Sequence, residues 1–291
     1  MDKIKKIAII TDSNSGLLPQ DAPEGVFVLP MPFLVNGEPY FENINLTQER
    51  FYELLEEQAS VSTSQPSVGD LTDLWTDVLK DYDELLHIPM SSGLSNSCAT
   101  ATTLAKDFDG RVHVVDNHRI SVSLKHSIFD AVKLREQGLS AKQIKEELEK
   151  NGGCGSIYIT VDSMKYLKKG GRVTPAAAMI GTILKIKPIL QIHGEKLDKF
   201  ALPRNSIKAR EILKETLKKD LETAYAKYVE AGEMTISIAH TNNETQAIAF
   251  AEDLKKLFPN IPVCFIDPLS LSVACHIGPG SLGVAITRIV K

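Results

Sequence analysis

Ile7-Ala8-Ile9-Ile10-Thr11-Asp12-Ser13-Asn14-Ser15-Gly16 is a short apolar run that passes directly into a loop of hydroxyl, acid and amide side chains. A continuous apolar run this short, closed by turn formers, reads as a buried strand. The pattern repeats downstream. Val26 to Leu29, Leu85 to Ile88 and Val112 to Val115 are further strand candidates. Helical segments lie between them: Gln48 to Gln58 behind a Thr47 cap, a helix opening at Asp70 or Thr72 and running to about Lys80, Ser95 to Lys106, and Ser121 to Gln137. Ser140 and Gln143 form a capping box for one more helix, ending near Lys150. Strands alternating with helices imply a mainly parallel α/β sheet.

Asn151-Gly152-Gly153 is the candidate junction, dividing the chain into residues 1–152 and 153–291. Beyond it the order changes. Ser156 to Val161 is β-rich, and Thr174-Pro175 starts a helix with Thr as cap and Pro in the first turn, running toward Leu184. Ile189 to His193 is a strand ending in a turn at Gly194, followed by a long helix from Ser206 to Val229. Met234 to Ala239, Val263 to Ile266 and Ala285 to Ile289 complete the strands. Short strands with two long helical segments suggest an α+β second domain.

Composition narrows the function classes. Apolar residues make up 43% and charged residues 24% of 291 residues, as in an ordinary globular protein, and the net charge is -4. Lysines occur only as short runs such as Lys168-Lys169, so no nucleic-acid footprint is expected. No apolar stretch approaches the roughly 18 residues of a membrane span. Cys98, Cys154, Cys264 and Cys275 show no paired spacing, and the seven histidines show no HExxH pattern. Reduced thiols, a cytoplasmic setting, and neither metal nor cofactor are expected.

Three hydroxyl-rich loops remain: Thr11 to Ser15, Thr63-Ser64-Gln65-Pro66-Ser67 and Ser91-Ser92-Gly93-Leu94-Ser95. Such loops offer O–H and N–H donors to a carboxylate or phosphate, or act as ordinary caps and turns. Arg172, just before the Thr174 helix start, can pair with such an anion or make a turn contact. His276, before Gly278-Pro279-Gly280, can give and take a hydrogen bond or pack as a satisfied histidine. The dinucleotide, P-loop and GxSxG signatures are missing, and Asp12-Ser13-Asn14 lacks a second acid two positions on. Anion donors without a nucleophile–base pair favour binding over catalysis.

Taken together and in order, Ile10-Thr11-Asp12-Ser13, Thr63 to Ser67, Ser91 to Ser95, Gly171-Arg172-Val173-Thr174-Pro175-Ala176-Ala177 and His276 to Gly280 resemble the DegV family across nearly the whole chain. The resemblance implies a Rossmann-like parallel-sheet domain over residues 1–152 that supplies head-group loops, and an α+β domain over 153–291 with an acyl-chain tunnel. It implies a bound long-chain fatty acid whose carboxylate is presented to a fatty acid kinase catalytic subunit for acyl phosphate formation, with at most transient membrane contact. By motif, Thr63, Ser64, Ser91, Ser92 and His276 look like the head-group network, and Arg172 like a mouth residue serving phosphotransfer or docking. The tunnel wall is expected from Ile157 to Val161, Ala176 to Leu184 and Ile189 to Ile192. Ser121 to His126, including Ser123 and Lys125, and Asn96-Ser97 depart from the family's usual small residues. A stand-alone phosphotransferase or hydrolase acting on a small anion through Asp12 and Arg172, and a carrier of another lipid, are the alternatives.

Overall fold

The computed structural model describes residues 5–180, 186–192 and 196–291. The helix expected to run from Thr174 toward Leu184 ends at Ala178, with Met179 already in a turn, while Leu184 itself and the strand end and turn at His193 and Gly194 lie outside the described residues. In chain order the elements are β1 (Ile7–Asp12), β2 (Val26–Leu29), β3 (Pro32–Val35), β4 (Glu38–Phe41), α1 (Gln48–Glu56), β5 (Val61–Thr63), α2 (Val68–Val78), β6 (Glu84–Ile88), α3 (Ser97–Leu104), β7 (Val112–Val114), α4 (Ser121–Glu136) and α5 (Ala141–Gly152). Then come β8 (Gly155–Thr160), α6 (Lys165–Gly170), α7 (Pro175–Ala178), β9 (Ile189–Ile192), β10 (Asp198–Ala201), α8 (Ser206–Glu222), α9 (Ala226–Glu230), β11 (Met234–His240), α10 (Glu244–Leu257), β12 (Val263–Pro268), α11 (Leu271–Ile277) and β13 (Leu282–Arg288).

The apolar runs of the first half do what their composition dictates. β1 is buried along its whole length and pairs in parallel with β2 on one side and β6 on the other. With β7 they form a parallel sheet ordered β2-β1-β6-β7. The strand order switches at β1, and the loops beyond β1 and β6 leave there. Open α/β sheets bind ligands at such a point. The expected Thr47 cap and the Ser140–Gln143 capping box are both present.

The second half is a six-stranded mixed sheet, β10-β9-β8-β13-β11-β12, antiparallel except for the β11–β12 pair. Its helices α8 and α10 bury Leu213, Leu217, Phe250 and Leu254 against one face. The other face shares a core with α4 and the parallel sheet. Ile9, Leu86 and Ile128 belong to the same apolar cluster as Ile159, Leu190 and Ala285.

Several elements differ from the sequence expectation. A third sheet, β4-β3-β5, is antiparallel and sits beside α11. Its strands have three or four residues, too short to show a period. Pro39 lies on the edge strand β4, where a missing N–H is tolerated. Helix α2 opens at Ser67, whose hydroxyl accepts the Asp70 amide, rather than at Asp70 or Thr72. The single helix expected from Ser206 to Val229 breaks into α8 and α9. Its Tyr225 is pulled inward, and its hydroxyl lies 2.9 Å from that of Ser156. A long helix that the sequence reading did not place, α10, lies between β11 and β12.

Candidate functional site

The turns at the carboxyl ends of the parallel strands open onto one cavity of about 430 Å³, within the roughly 300–1,000 Å³ of ligand pockets. Asn14 follows β1, Met31 follows β2, Met90 and Leu94 follow β6, and Ile120 and Val122 follow β7. The facing wall belongs to the mixed sheet and includes Ile157, Ile159, Ile192, Ala239 and Ala285. Helix α11 contributes Ser272, Val273, His276 and Ile277. Of the expected tunnel stretches, Ile157 to Val161 and Ile189 to Ile192 supply wall residues. Among the described residues Ala176 to Ile180 supply none. The cavity lies between the halves rather than inside the second one. Nothing in the periodicity of Met31, Met90 or Ile120 distinguishes a cavity wall from filled core.

The polar wall residues form a linked group. β5 ends at Thr63 because the antiparallel pairing Phe33↔Thr63 closes its sheet there, and Ser64 and Gln65 continue along the wall. Thr63 Oγ1 lies 2.8 Å from His276 Nε2. Gln65 Oε1 accepts the Thr100 hydroxyl at 3.2 Å. Arg172 donates from Nη1 to the Gly170 carbonyl at 2.6 Å and from Nε to the Leu94 carbonyl at 3.3 Å. The guanidinium thus ties the Ser91–Ser95 turn to the α6–α7 connection.

His276 is placed by its surroundings. A Cβ on Gly170 would lie 2.2 Å from His276 Nδ1, so only glycine at the end of α6 leaves room for the ring. Burial, then the nearby Arg172 guanidinium, lowers the His276 pKa to about 4. The ring is neutral at pH 7, where one nitrogen donates and the other accepts. Upstream, α11 is anchored by Asn14 Oδ1, which accepts both the Ser270 and the Ser272 hydroxyls. Half-buried Glu42 accepts the Leu271 amide at 2.9 Å.

Thr63, Ser64, Arg172 and His276 all line this cavity, and Ser91 and Ser92 do not. The turn hydrogen bonds inside itself. The Leu94 and Ser95 amides donate to the Ser91 carbonyl, and the Gly93 amide donates to the Ser91 hydroxyl. That geometry turns Ser91 into the body of the protein and Ser92 outward toward His118, 3.5 Å away. Ser95 and Asn96 reach the wall instead. Within one tight turn, sequence alone does not say which hydroxyl faces the ligand. Sequence reading passed over Thr100 and Ser272; it took Asn14 only as part of a donor loop and Ser121 only as a departure from the family pattern. The structure makes Ser121 distinctive. It has φ 54, a left-handed conformation unusual for a residue with a side chain, at the first position of α4 on the cavity wall.

Asp12 is 2% exposed. Its carboxylate accepts the Asn14 amide at 2.9 Å and the Met90 amide at 2.8 Å. Burial raises its pKa to about 6, and it lies outside the large cavity. It ties the loops after β1 and β6 together. Among the described residues no group of acids, histidines and cysteines is arranged to hold a metal, and no helix is long and apolar enough to cross a membrane.

Comparison with known proteins fits this geometry. A family profile described as "Uncharacterised protein, DegV family" matches residues 6–288. A DegV domain-containing protein of Deinococcus radiodurans is 31% identical over 96% of this chain and 98% of its own. A Thermus thermophilus DegV family protein, whose structure is described as showing fatty acid binding, superposes with a TM-score of 0.84. It is 28% identical, over 98% of this chain and 100% of its own. The Bacillus subtilis DegV protein, described as fatty acid binding, gives 0.83 at 28% identity over 98% and 99% of the two chains. The fold is thus shared along nearly the whole length, and the chain belongs to the DegV family.

Proposed function

We propose that this protein binds one long-chain fatty acid and presents its carboxylate to a separate kinase for conversion to an acyl phosphate. The observation that carries the reading is a largely apolar cavity whose polar wall residues include a neutral His276 bonded to Thr63. Fatty acid binding by the Thermus and Bacillus proteins supports it. In this reading residues 1–152 supply head-group loops and residues 153–291 much of the acyl wall. His276 and Arg172 reach back to the head group from the second part.

Thr63, Ser64, Ser95 and His276 hold the carboxylate through uncharged donors, and Ser91 and Ser92 shape the turn that presents Ser95. A tail of about 15 methylenes buries up to roughly 12 kcal/mol of apolar free energy. Association and ordering remove several of those. Affinity therefore resides in the tail, and the head group sets orientation. Neutral donors leave the carboxylate without a tight ion pair, so it stays nucleophilic toward a phosphoryl group. Arg172, at the rim, offers its remaining donors to the incoming phosphoryl group or to the kinase surface.

Mass spectrometry of an organic extract of the purified protein tests the first step. Close to one equivalent of a long-chain acid is expected, and an extract with none, or with another lipid, overturns the assignment. The acid-loaded protein should yield acyl phosphate only with ATP and a separate kinase. Turnover by the loaded protein alone would mean a stand-alone phosphotransferase. T63A removes one head-group donor and should lower acid retention about tenfold, the cost of one buried hydrogen bond of about 1–3 kcal/mol.

A further inference from the structure

Gly283 is the second residue of β13, a central strand, and is paired there with β11 on one side and β8 on the other. Glycine weakens a strand interior, so its presence there calls for a reason. Backbone conformation does not supply one, because Gly283 is not among the positive-φ residues. Packing does not supply one either. A Cβ would meet the Ala239 carbonyl oxygen at 3.5 Å and the Ile159 side chain at 3.7 Å, both ordinary contacts. Gly155, on the neighbouring strand β8, is different, since a Cβ there would lie 2.5 Å from the Ile286 carbonyl oxygen.

The cavity supplies the reason. Gly283, Val284 and Ala285 all line it, although successive residues of a strand face opposite sides. Val284 sends its side chain to the far face, into the cluster that holds Tyr158 and Ile238. It touches the cavity because position 283 leaves the backbone uncovered. Across the sheet Gly283 pairs with Ala239 and Ile159, so the small wall continues onto β11 before Ile159 raises it.

Resting on the fatty-acid reading above, we propose that Gly283 is a specificity-determining residue. The acyl chain crosses the bare backbone of β13 at this point, and the missing side chain sets how long a chain the cavity takes. A side chain at 283 occupies the path itself, so acids that extend past it are excluded and shorter ones are not.

The test compares the full-length protein with Gly283→Ala and Gly283→Val, each stripped of lipid, for binding of dodecanoic, palmitic and stearic acids. Thermal melts of the unliganded proteins are recorded alongside. G283V is expected to lose stearic acid affinity by about tenfold or more, the scale set by lost apolar space in a pocket, and to hold dodecanoic acid within about twofold. G283A should melt higher than the parent when empty and still bind stearic acid several-fold more weakly. A merely structural glycine would move stability and affinity together. If the parent binds all three acids and both variants bind them equally well, the inference is overturned and the fatty-acid reading stands. If the parent binds none of them, both fall. Should G283V not fold, G283A decides. A selective loss of the longer acid supports the assignment, and a length-independent profile overturns it.

Discussion

At pH 7 the ring of His276 carries no charge, because burial and the Arg172 guanidinium hold its pKa at about 4. An unfolded histidine takes up its proton at 6.5. Between the two values the unfolded chain therefore binds more protons, and stability falls as pH drops through that window. The full shift corresponds to as much as about 3 kcal/mol. Urea unfolding of the parent and H276Q at about pH 7, above the window, and at about pH 4.5, within it, checks this. The parent should lose more stability between the two, and parallel losses would remove His276 as the cause. Ser121 makes a second residue-scale case. An L-residue in the left-handed region costs about 1–2 kcal/mol, and glycine avoids that cost. S121G should raise the denaturation midpoint of the empty protein by an amount worth about 1 kcal/mol, and a lowered midpoint would mean that the serine side chain contributes more than the strain costs. At this scale Thr63, Ser64, Arg172 and His276 were legible as loop chemistry. Ser95, in place of Ser91 and Ser92, was not, because a turn's internal hydrogen bonds decide which hydroxyl faces inward.

Helix α11 is the element on which the site turns, since it carries His276 into the cavity from far along the chain. Its start is fixed by half-buried Glu42, which accepts the Gln48 side-chain amide at 2.7 Å and the Leu271 amide at 2.9 Å. Burial raises the Glu42 pKa, so the carboxylate is kept there by its hydrogen bonds. E42A leaves both donors without that partner and should destabilise the protein by about 1–3 kcal/mol. It should also weaken acid retention, because the helix that aims His276 loses its anchor. Loss of stability with unchanged retention would show that α11 holds its position without Glu42. Long or capped elements could be read directly: β1 from its apolar run, α1 from Thr47 and α5 from its capping box. The sheet β4-β3-β5, which delivers Thr63, could not, because strands of three or four residues show no period and depend on their neighbours.

Across the whole molecule the parallel and mixed sheets share one apolar cluster with α4, which includes Ile9, Ile128 and Ile159. A shared core couples the halves, so denaturant unfolding should be a single transition. Fluorescence of Trp75, the one tryptophan, reports the first half, and far-ultraviolet circular dichroism reports all helices. Coincident curves are expected, and separate midpoints would show that the halves unfold independently. Added fatty acid should shift both curves together, as ligand binding to the native state does. By itself the sequence determined the alternating α/β first half, the changed second half, the loops rich in anion donors and the family. These rest on local composition, capping and ordered motifs, which neighbouring residues carry among themselves. Only the tertiary structure decided that the wall of the cavity comes from both halves, that Ser95 faces it while Ser92 does not, and that β13 is bare at Gly283. Those facts depend on which surfaces meet across long stretches of chain, and a packed core and an open cavity are lined by the same apolar residues.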